Sequence, residues 1–283
     1  MEIIDCGKVR ESMLDEVKDY IEFIEEKYSE SCNLVVIQVE GDAASDVYVR
    51  NKLKTCEQVG IDCQVVKLPN DCEPWSLLET IEANAKDDNV TGLMLQLPLP
   101  ETLGDPQFYL DRIPYYKDVD GLSRASIGRL WSDHPNCIRP ATAQGIMWLL
   151  PHDMSGMTVC VLGRSNLVGK PLYKLLSDRN ATVIACHSHT DNIYKYMEHS
   201  DIIISAIGKP KFIKYNSKLD GKMFIDVGIN RDENGKLCGD IDIDTFKDSS
   251  CKITPVPKGV GILTTVQLAL NVADANALFA LGK

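Results

Sequence analysis

The sequence has few basic residues for its acidic content, with 30 Lys+Arg against 41 Asp+Glu and a net charge of −11. Generic binding to nucleic-acid phosphates needs a basic surface, so this class of protein is excluded. The sequence also lacks an uninterrupted apolar run of about 18 residues, and its N-terminus has no basic flank before an apolar core. We therefore expect no membrane span, no secretory signal and a cytoplasmic protein.

Metal-binding patterns are missing as well. The ten cysteines include no C-x-x-C pair, and neither they nor the five histidines have the spacing of a zinc finger. Cys160 and Cys186 lie inside the apolar runs TVCVLG and TVIACH. We therefore expect buried free thiols in a reducing cytosol, and no metal site.

What the sequence does contain is an alternation of strand-length apolar runs and helical patterns. A first series includes LVVIQV (34–39) and GLMLQLPLP (92–100), and a second begins with MTVCVLG (157–163). Such alternation predicts parallel sheets with helices on both faces. Two series predict two α/β domains that flank a cleft, the second of them Rossmann-type.

The turn-rich segment WSDHPNCIRP places the domain boundary near its end, which gives domains 1–140 and 141–263. A terminal helix, 264–283, is expected to fold back and complete the first domain. In that domain, SDVYVRNKLKTCEQVG (45–60) has helical spacing, and Ser45 is a candidate cap.

The strongest local pattern is VCVLGRSNLVGKP (159–171), a strand followed by a glycine-containing turn and a helix. Gly163 permits a sharp turn, Ser165 can donate to a phosphate, and Gly169 allows a close approach of the helix. The helix start would present free N–H groups to an anion. A purely structural turn is the alternative reading of this spacing.

The following strand bears on which nucleotide binds. Enzymes that prefer NAD usually have an acid at its end, where it holds the ribose 2′-hydroxyl. Here the strand ATVIACH is followed by Ser188-His189-Thr190, and Arg164 stands beside Gly163. A cation and hydroxyls without an acid favour NADP over NAD.

Polar residues of the first domain form a second group. Tyr48 and Lys52 are four residues apart on a predicted helix and share a face. Gln96 follows an apolar strand, at the end that faces ligands in open α/β sheets, and needs partners if buried. Asp118 and Asp120 occupy the next loop, so polar groups from three segments are expected to converge.

Six motifs in order carry a resemblance to a known family: YVRNK (48–52), QLPLP (96–100), KDVDG (117–121), GRSNLVGKP (163–171), DVGIN (226–230) and TPVPKGVG (254–261). Together they closely resemble bifunctional methylenetetrahydrofolate dehydrogenase/methenyltetrahydrofolate cyclohydrolases, over almost the whole chain. The resemblance implies NADP-dependent oxidation of 5,10-methylenetetrahydrofolate and hydrolysis of the product to 10-formyltetrahydrofolate. It also implies a cytoplasmic homodimer with a folate-binding first domain and an NADP-binding second domain.

The resemblance assigns roles to matching positions. It implies that Lys52 is the catalytic lysine, that Tyr48 stacks near the folate ring, and that Gln96 tunes the lysine. Asp120 would hold the pterin, and Pro257 would also contact the substrate. The implied cofactor contacts are Gly163, Arg164, Ser165, Ser188 and Ile229. The chemistry requires no metal.

Two segments depart from the family pattern. PATAQG (140–145) stands where members usually read P-C-T-P-x-G, and TPVPKGVGILT (254–264) where they usually read TPVPGGVGPMT. Lys258 therefore replaces a glycine, while Ile262 and Leu263 replace proline and methionine. If position 258 needs a positive φ, the lysine implies a changed loop.

Three alternatives stay open at this stage. A different NADP-linked dehydrogenase, of shikimate or amino-acid type, would share the second half without needing YVRNK and QLPLP. A monofunctional methylenetetrahydrofolate dehydrogenase would have lost the hydrolysis step, which the retention of Lys52, Gln96 and Asp120 argues against. A non-catalytic folate or nucleotide sensor would fail a turnover assay.

Overall fold

The computed structural model describes residues 1–28 and 31–281. The chain forms two compact units, each with its own parallel sheet. The three-stranded unit comprises Ser12–Ala141 and the chain from Thr265 on. The six-stranded unit comprises Met1–Glu11 and Thr142–Thr264. The predicted alternation of strands and helices is thus confirmed, whereas residues 1–11 group with the second series rather than with 1–140.

The described strands are β1 (Glu2–Ile3), β2 (Asn33–Val39), β3 (Asp62–Leu68), β4 (Gly92–Leu95), β5 (Thr158–Leu162), β6 (Thr182–Cys186), β7 (Ile202–Ser205), β8 (Met223–Asp226), β9 (Asn230–Arg231), β10 (Leu237–Cys238) and β11 (Lys252–Ile253). The described α-helices are α1 (Cys6–Tyr28), α2 (Ala43–Gln58), α3 (Pro74–Lys86), α4 (Pro106–Leu110), α5 (Arg124–Trp131), α6 (Ala141–Met147), α7 (Gly169–Asp178), α8 (Ile193–Glu198) and α9 (Val260–Ala280).

The three-stranded sheet has the order β3-β2-β4, with both pairings parallel. Six of the seven residues of the central strand β2 are buried, which explains its continuous apolar run. Strand β4 stops at Leu95, before the prolines of QLPLP, because proline cannot donate to a strand ladder. Gln96 therefore lies just beyond the strand, at the carboxyl edge of the sheet.

The helix start before Lys52 differs from the prediction. Helix α2 begins at Ala43, and the Asp42 side chain accepts hydrogen bonds from the Ser45 backbone N–H (3.2 Å) and hydroxyl (2.8 Å). Asp42 is therefore the capping residue and Ser45 lies inside the first turn.

The six-stranded sheet has the order β1-β11-β8-β7-β5-β6. The chain leaves β5 towards β6 on one side and returns to β7 on the other, so the strand order reverses between β5 and β7. Ligands of open α/β sheets bind outside the carboxyl ends of the strands at such a reversal. The short pair β9–β10 is antiparallel and separate from this sheet.

Helix α9 begins four residues before the predicted 264–283 segment, of which Gly282 and Lys283 lie outside the described residues. By length and composition α9 could cross a membrane, but 61% of its apolar window is buried inside the protein. Leu268 and Val272 are completely buried. Such burial is typical of the core helix of a folded protein. The ten cysteines are free thiols, and seven of them are buried.

Candidate active site

Lys52 lies at the centre of a polar cluster in the three-stranded unit. Its Nζ donates to Gln96 Oε1 at 3.3 Å and contacts Met94 Sδ at 3.3 Å. The Asp120 Oδ2 is 3.9 Å from the same nitrogen. The side chains of Lys52 and Asp120 are only 15% and 16% exposed, so the cation and the carboxylate are largely withdrawn from water. Two predicted residues, Gln96 and Asp120, therefore converge on the predicted Lys52 amine.

The orientation of Gln96 follows from its own hydrogen bonds. Its backbone N–H donates to the Ile37 carbonyl at 2.9 Å, which ties it to β2. Its side-chain Nε2 donates to the Leu97 carbonyl, so the amide oxygen is the atom turned towards Lys52. The next peptide bond, Leu97–Pro98, is cis. A buried amide is thereby satisfied on both its donor and its acceptor side.

The two aspartates of KDVDG have different roles. Asp118 is buried, and its carboxylate accepts from the backbone N–H groups of Gly121 (3.0 Å) and Ser123 (2.8 Å) and from the Ser126 hydroxyl (2.7 Å). Burial raises the pKa of Asp118, and these hydrogen bonds oppose that rise. Asp118 therefore holds the loop, whereas Asp120 faces Lys52.

The shape of this loop is fixed at two further points. Gly121 has a φ of +68°, and a Cβ there would lie 2.9 Å from the Pro140 nitrogen, so a larger residue is excluded. The Asn271 side chain donates to the carbonyls of Val119 (2.7 Å) and Arg139 (2.8 Å). These two hydrogen bonds from helix α9 hold the segment that carries Asp120 in place.

Tyr48 lies one turn before Lys52 on α2, and its side chain is 38% exposed. The ring lies on the same helical face as Lys52, and an aromatic ring can stack on a flat ligand. Met94 is a contact that sequence reasoning missed. Its sulfur meets the amine, yet a methionine inside an apolar strand carries no signal that distinguishes it from core.

The six-stranded unit contains the predicted phosphate loop. Gly163 has a φ of +129°, and a Cβ there would lie 2.5 Å from the Ala206 carbonyl oxygen. A Cβ on Gly169 would lie 2.2 Å from the Gly163 carbonyl oxygen. Both positions therefore exclude any side chain. The Ser165 hydroxyl accepts from the Val168 N–H at 3.1 Å just before α7, and it can still donate its proton to a ligand.

The remaining predicted nucleotide contacts follow the adjacent strand. The Gly163 N–H donates to the Cys186 carbonyl at 2.9 Å, so the turns after β5 and β6 begin side by side. Arg164, Ser165 and Ser188 are exposed in these turns. The His187 N–H donates to the Thr190 hydroxyl at 2.9 Å, which closes the second turn. A tight glycine cradle, a helix start and an exposed cation fit a dinucleotide phosphate.

Ile229 and Pro257 also lie in the six-stranded unit. Ile229 follows β8 and is 47% exposed, and its Cδ1 is 3.8 Å from the position of a Cβ on Gly261. Pro257 follows a cis peptide bond, and Lys258 has a φ of +69°. The Lys258 backbone is therefore left-handed, the conformation that glycine adopts most readily. That conformation costs a non-glycine residue about 1–2 kcal/mol.

The described part of the chain contains no cluster of side chains that could bind a metal ion. Among residues 1–28 and 31–281, no group of three or more His, Cys, Asp or Glu side chains could hold an ion. The Lys52 cluster itself presents an amine, an amide and a carboxylate.

Comparisons with known proteins agree with this geometry. The family profile described as tetrahydrofolate dehydrogenase/cyclohydrolase, catalytic domain, matches residues 4–120, and that of its NAD(P)-binding domain matches residues 140–279. The bifunctional protein FolD of Agathobacter rectalis is 42% identical over 96% of this chain and 98% of its own.

Two solved structures extend the similarity. The bifunctional FolD methylenetetrahydrofolate dehydrogenase/cyclohydrolase of Campylobacter jejuni has a TM-score of 0.91 at 34% identity, covering 98% of this chain and 99% of that one. The Trypanosoma brucei dehydrogenase-cyclohydrolase, solved with NADP and an inhibitor, has a TM-score of 0.89 at 30% identity, covering 98% and 97%. The chain belongs to the tetrahydrofolate dehydrogenase/cyclohydrolase family.

Proposed function

We propose that the protein is a bifunctional enzyme of one-carbon metabolism. It oxidises 5,10-methylenetetrahydrofolate to 5,10-methenyltetrahydrofolate with NADP and hydrolyses the product to 10-formyltetrahydrofolate. The names of its relatives support both activities, and the NADP complex of the Trypanosoma brucei enzyme supports the cofactor. The observation that carries the proposal is the Lys52 amine held beside the Gln96 amide oxygen and the Asp120 carboxylate.

In the oxidation step, the methylene carbon of the substrate loses a hydride while N5 supplies an electron pair. NADP, when bound, accepts that hydride. The organic product is a cation delocalised over two nitrogens. Asp120 supports this step by accepting hydrogen bonds from the N–H donors of the pterin, and Tyr48 stacks on the ring.

In the hydrolysis step, water adds to the methenyl carbon and loses one proton. The C–N5 bond then breaks as the new hydroxyl loses its proton and N5 takes one up, which leaves the carbon on N10 as the formyl group. We assign the proton transfers of this step to Lys52, whose amine lies beside the Gln96 amide oxygen and the Asp120 carboxylate. Gln96 holds the amine in place through its oxygen. The assignment of Pro257 to substrate binding stays a prediction.

Arg164 and Ser188 are the groups we assign to the 2′-phosphate of NADP. Both are exposed in neighbouring turns at the carboxyl ends of β5 and β6, and the Arg164 turn borders the point between β5 and β7 where the strand order reverses. Gly163, Ser165 and Ile229 complete the proposed cofactor contacts. A guanidinium suits phosphate recognition because it can form two parallel hydrogen bonds.

A two-signal turnover assay tests the proposed function. Purified protein is mixed with methylenetetrahydrofolate and either NADP or NAD, and reduced cofactor and the methenyl chromophore are followed separately. We expect cofactor reduction with NADP and decay of added methenyltetrahydrofolate without cofactor. Cofactor reduction without enzymatic decay of the methenyl compound would identify a monofunctional dehydrogenase. The absence of both signals would identify a protein that binds its ligands without turnover.

We also propose a cytoplasmic homodimer, on the strength of the family resemblance. Sedimentation equilibrium on the full chain measures the assembly directly. A mass of one chain across the working concentration range would contradict the dimer, and recovery of the protein outside the cytoplasmic fraction would contradict the location.

A further inference from the structure

Asp240 is a buried carboxylate of the six-stranded unit to which the proposed reaction assigns no part. It is completely buried, two residues after β10. Its Oδ2 accepts from the Ser205 hydroxyl at 2.9 Å, from the Ile207 N–H at 2.8 Å and from the Gly208 N–H at 3.3 Å. One oxygen thus holds the end of β7 and the first turn of the loop that follows it.

The second oxygen extends this network to another strand. Oδ1 accepts from the Lys209 N–H at 3.0 Å and from the Asn230 side-chain amide at 2.9 Å. Asn230 directly follows Ile229, a proposed cofactor contact. Both carboxylate oxygens accept hydrogen bonds, from five donors in total. An asparagine side chain would therefore have to point its NH2 group at donors in either orientation.

The space around Asp240 allows little adjustment. Its backbone N–H donates to Asp226 Oδ1 at 2.9 Å, and Asp226 Oδ2 accepts from the Ile241 N–H at 2.9 Å. A Cβ on Gly228 would lie 2.3 Å from Asp240 Oδ1, and one on Gly239 would lie 1.9 Å from Asp226 Oδ2. The backbone of these two glycines packs directly against the two carboxyl groups. The positions of the carboxyl groups therefore determine the positions of the loops.

The loop held by Asp240 contacts the phosphate loop. The Ala206 N–H donates to the Leu162 carbonyl at 2.8 Å, and the Ala206 carbonyl oxygen occupies the space that a Cβ on Gly163 would need. Asp240 therefore connects, through residues 206–209, to the turn after β5. This turn lies where the strand order reverses, the usual place of a nucleotide in such sheets.

We propose that Asp240 is a positioning residue for NADP: it fixes loops 205–209 and 226–230 at the carboxyl edge of the sheet, and thereby the Gly163 turn and Ile229. The proposal rests on the proposed function for the identity of the nucleotide. Asp240 touches neither cofactor nor substrate in this account. It acts through the backbone groups and the Asn230 amide that it holds.

The test is Asp240→Asn in the full chain, with Asp220→Asn as the matched control. Asp220 also accepts from a backbone N–H and a hydroxyl, both of Ser250, but it precedes β8 and so lies at the opposite edge of the sheet. Three quantities are measured: the Kd of NADP, the dehydrogenase rate and cofactor-independent methenyl hydrolysis. Losing one hydrogen bond to a charged group corresponds to a change of roughly tenfold or more in an equilibrium constant.

We expect Asp240→Asn to raise the Kd of NADP about tenfold or more, while methenyl hydrolysis, assigned to Lys52 in the other unit, stays within about twofold. Asp220→Asn should change neither the Kd of NADP nor the rate of methenyl hydrolysis. Unchanged NADP affinity, or an equal loss of NADP binding and hydrolysis, would overturn the proposal. If Asp240→Asn does not fold, Ser205→Ala decides: weaker NADP binding with hydrolysis retained supports the proposal, and wild-type binding overturns it. A wild-type protein that binds NADP without turnover would instead contradict the proposed function.

Discussion

Adding one methyl group at Gly169 tests the phosphate loop most sharply. A Cβ there would lie 2.2 Å from the carbonyl oxygen of Gly163, 2.7 Å from its carbonyl carbon and 2.9 Å from the Arg164 Cα. Ordinary contacts of a Cβ begin at 3.4 Å, so the loop or α7 must move by roughly 1 Å. All three neighbours are backbone atoms, which cannot rotate away as a side chain would.

Two opposing effects decide the size of the change in Gly169→Ala. Alanine favours a helix over glycine by about 0.8–1 kcal/mol. Overpacking a closely packed site costs about 1–3 kcal/mol, and here the contacts are with backbone. The steric effect therefore prevails, and the loop that we propose receives the phosphate opens. We expect the Kd of NADP to rise about tenfold or more.

The matched control is Gly128→Ala on α5 of the three-stranded unit, where a Cβ meets nothing within 4 Å. This variant should bind NADP normally and gain about 0.5–1 kcal/mol of stability. Isothermal titration with NADP and the methenyl hydrolysis rate are measured on both variants. The reasoning is refuted if Gly169→Ala binds NADP as tightly as the wild type, or loses hydrolysis in proportion.

Further predictions concern the substrate, the 2′-phosphate and pH. Asp120→Asn should weaken folate turnover by about 1.5–3 kcal/mol with an unchanged Kd for NADP, and an equal loss of NADP affinity would contradict the assignment. Arg164→Ala should weaken NADP binding roughly 10- to 150-fold and leave NAD unaffected, with Lys258→Gly added to detect a substitute cation; equal losses for both cofactors would refute it. Burial raises the pKa of Asp226 and of Asp274 to about 6. Because the folded state then keeps protons that the unfolded state releases, these two carboxyl groups should lower the free energy of unfolding as the pH rises from about 4 to about 6. Chemical denaturation in which the free energy of unfolding rises steadily over that interval would contradict this.

The sequence contained enough to predict the sheets and most of the Lys52 cluster. Continuous apolar runs identified the buried parallel strands, because such strands are covered on both faces. Lys52 and Gln96 could be paired because local patterns place Lys52 on a helix and Gln96 at the carboxyl end of a strand, the end that faces ligands in an open α/β sheet. The glycines at 163 and 169 were predictable because a strand, a tight turn and a helix start follow one another in the sequence there.

The contacts that depend on distant partners were not predictable. Strand β1 has two residues, too few for a periodic pattern, and only its pairing with β11 reveals it. Residue type and spacing in KDVDG do not separate Asp118 from Asp120, whereas the buried hydrogen bonds of Asp118 and the position of Asp120 beside Lys52 do. Asp240 had no signal at all, because its five donors come from segments up to 35 residues away.

The central claim is that the Lys52 amine performs the proton transfer of methenyl hydrolysis. The most direct measurement is the hydrolysis rate of methenyltetrahydrofolate by Lys52→Met, compared with Lys54→Met, an exposed lysine on the same helix. Both variants lose one amine and keep an unbranched stem. The account predicts a loss on the order of 100-fold or more for Lys52→Met and a normal rate for Lys54→Met. Near-normal hydrolysis by Lys52→Met would contradict it.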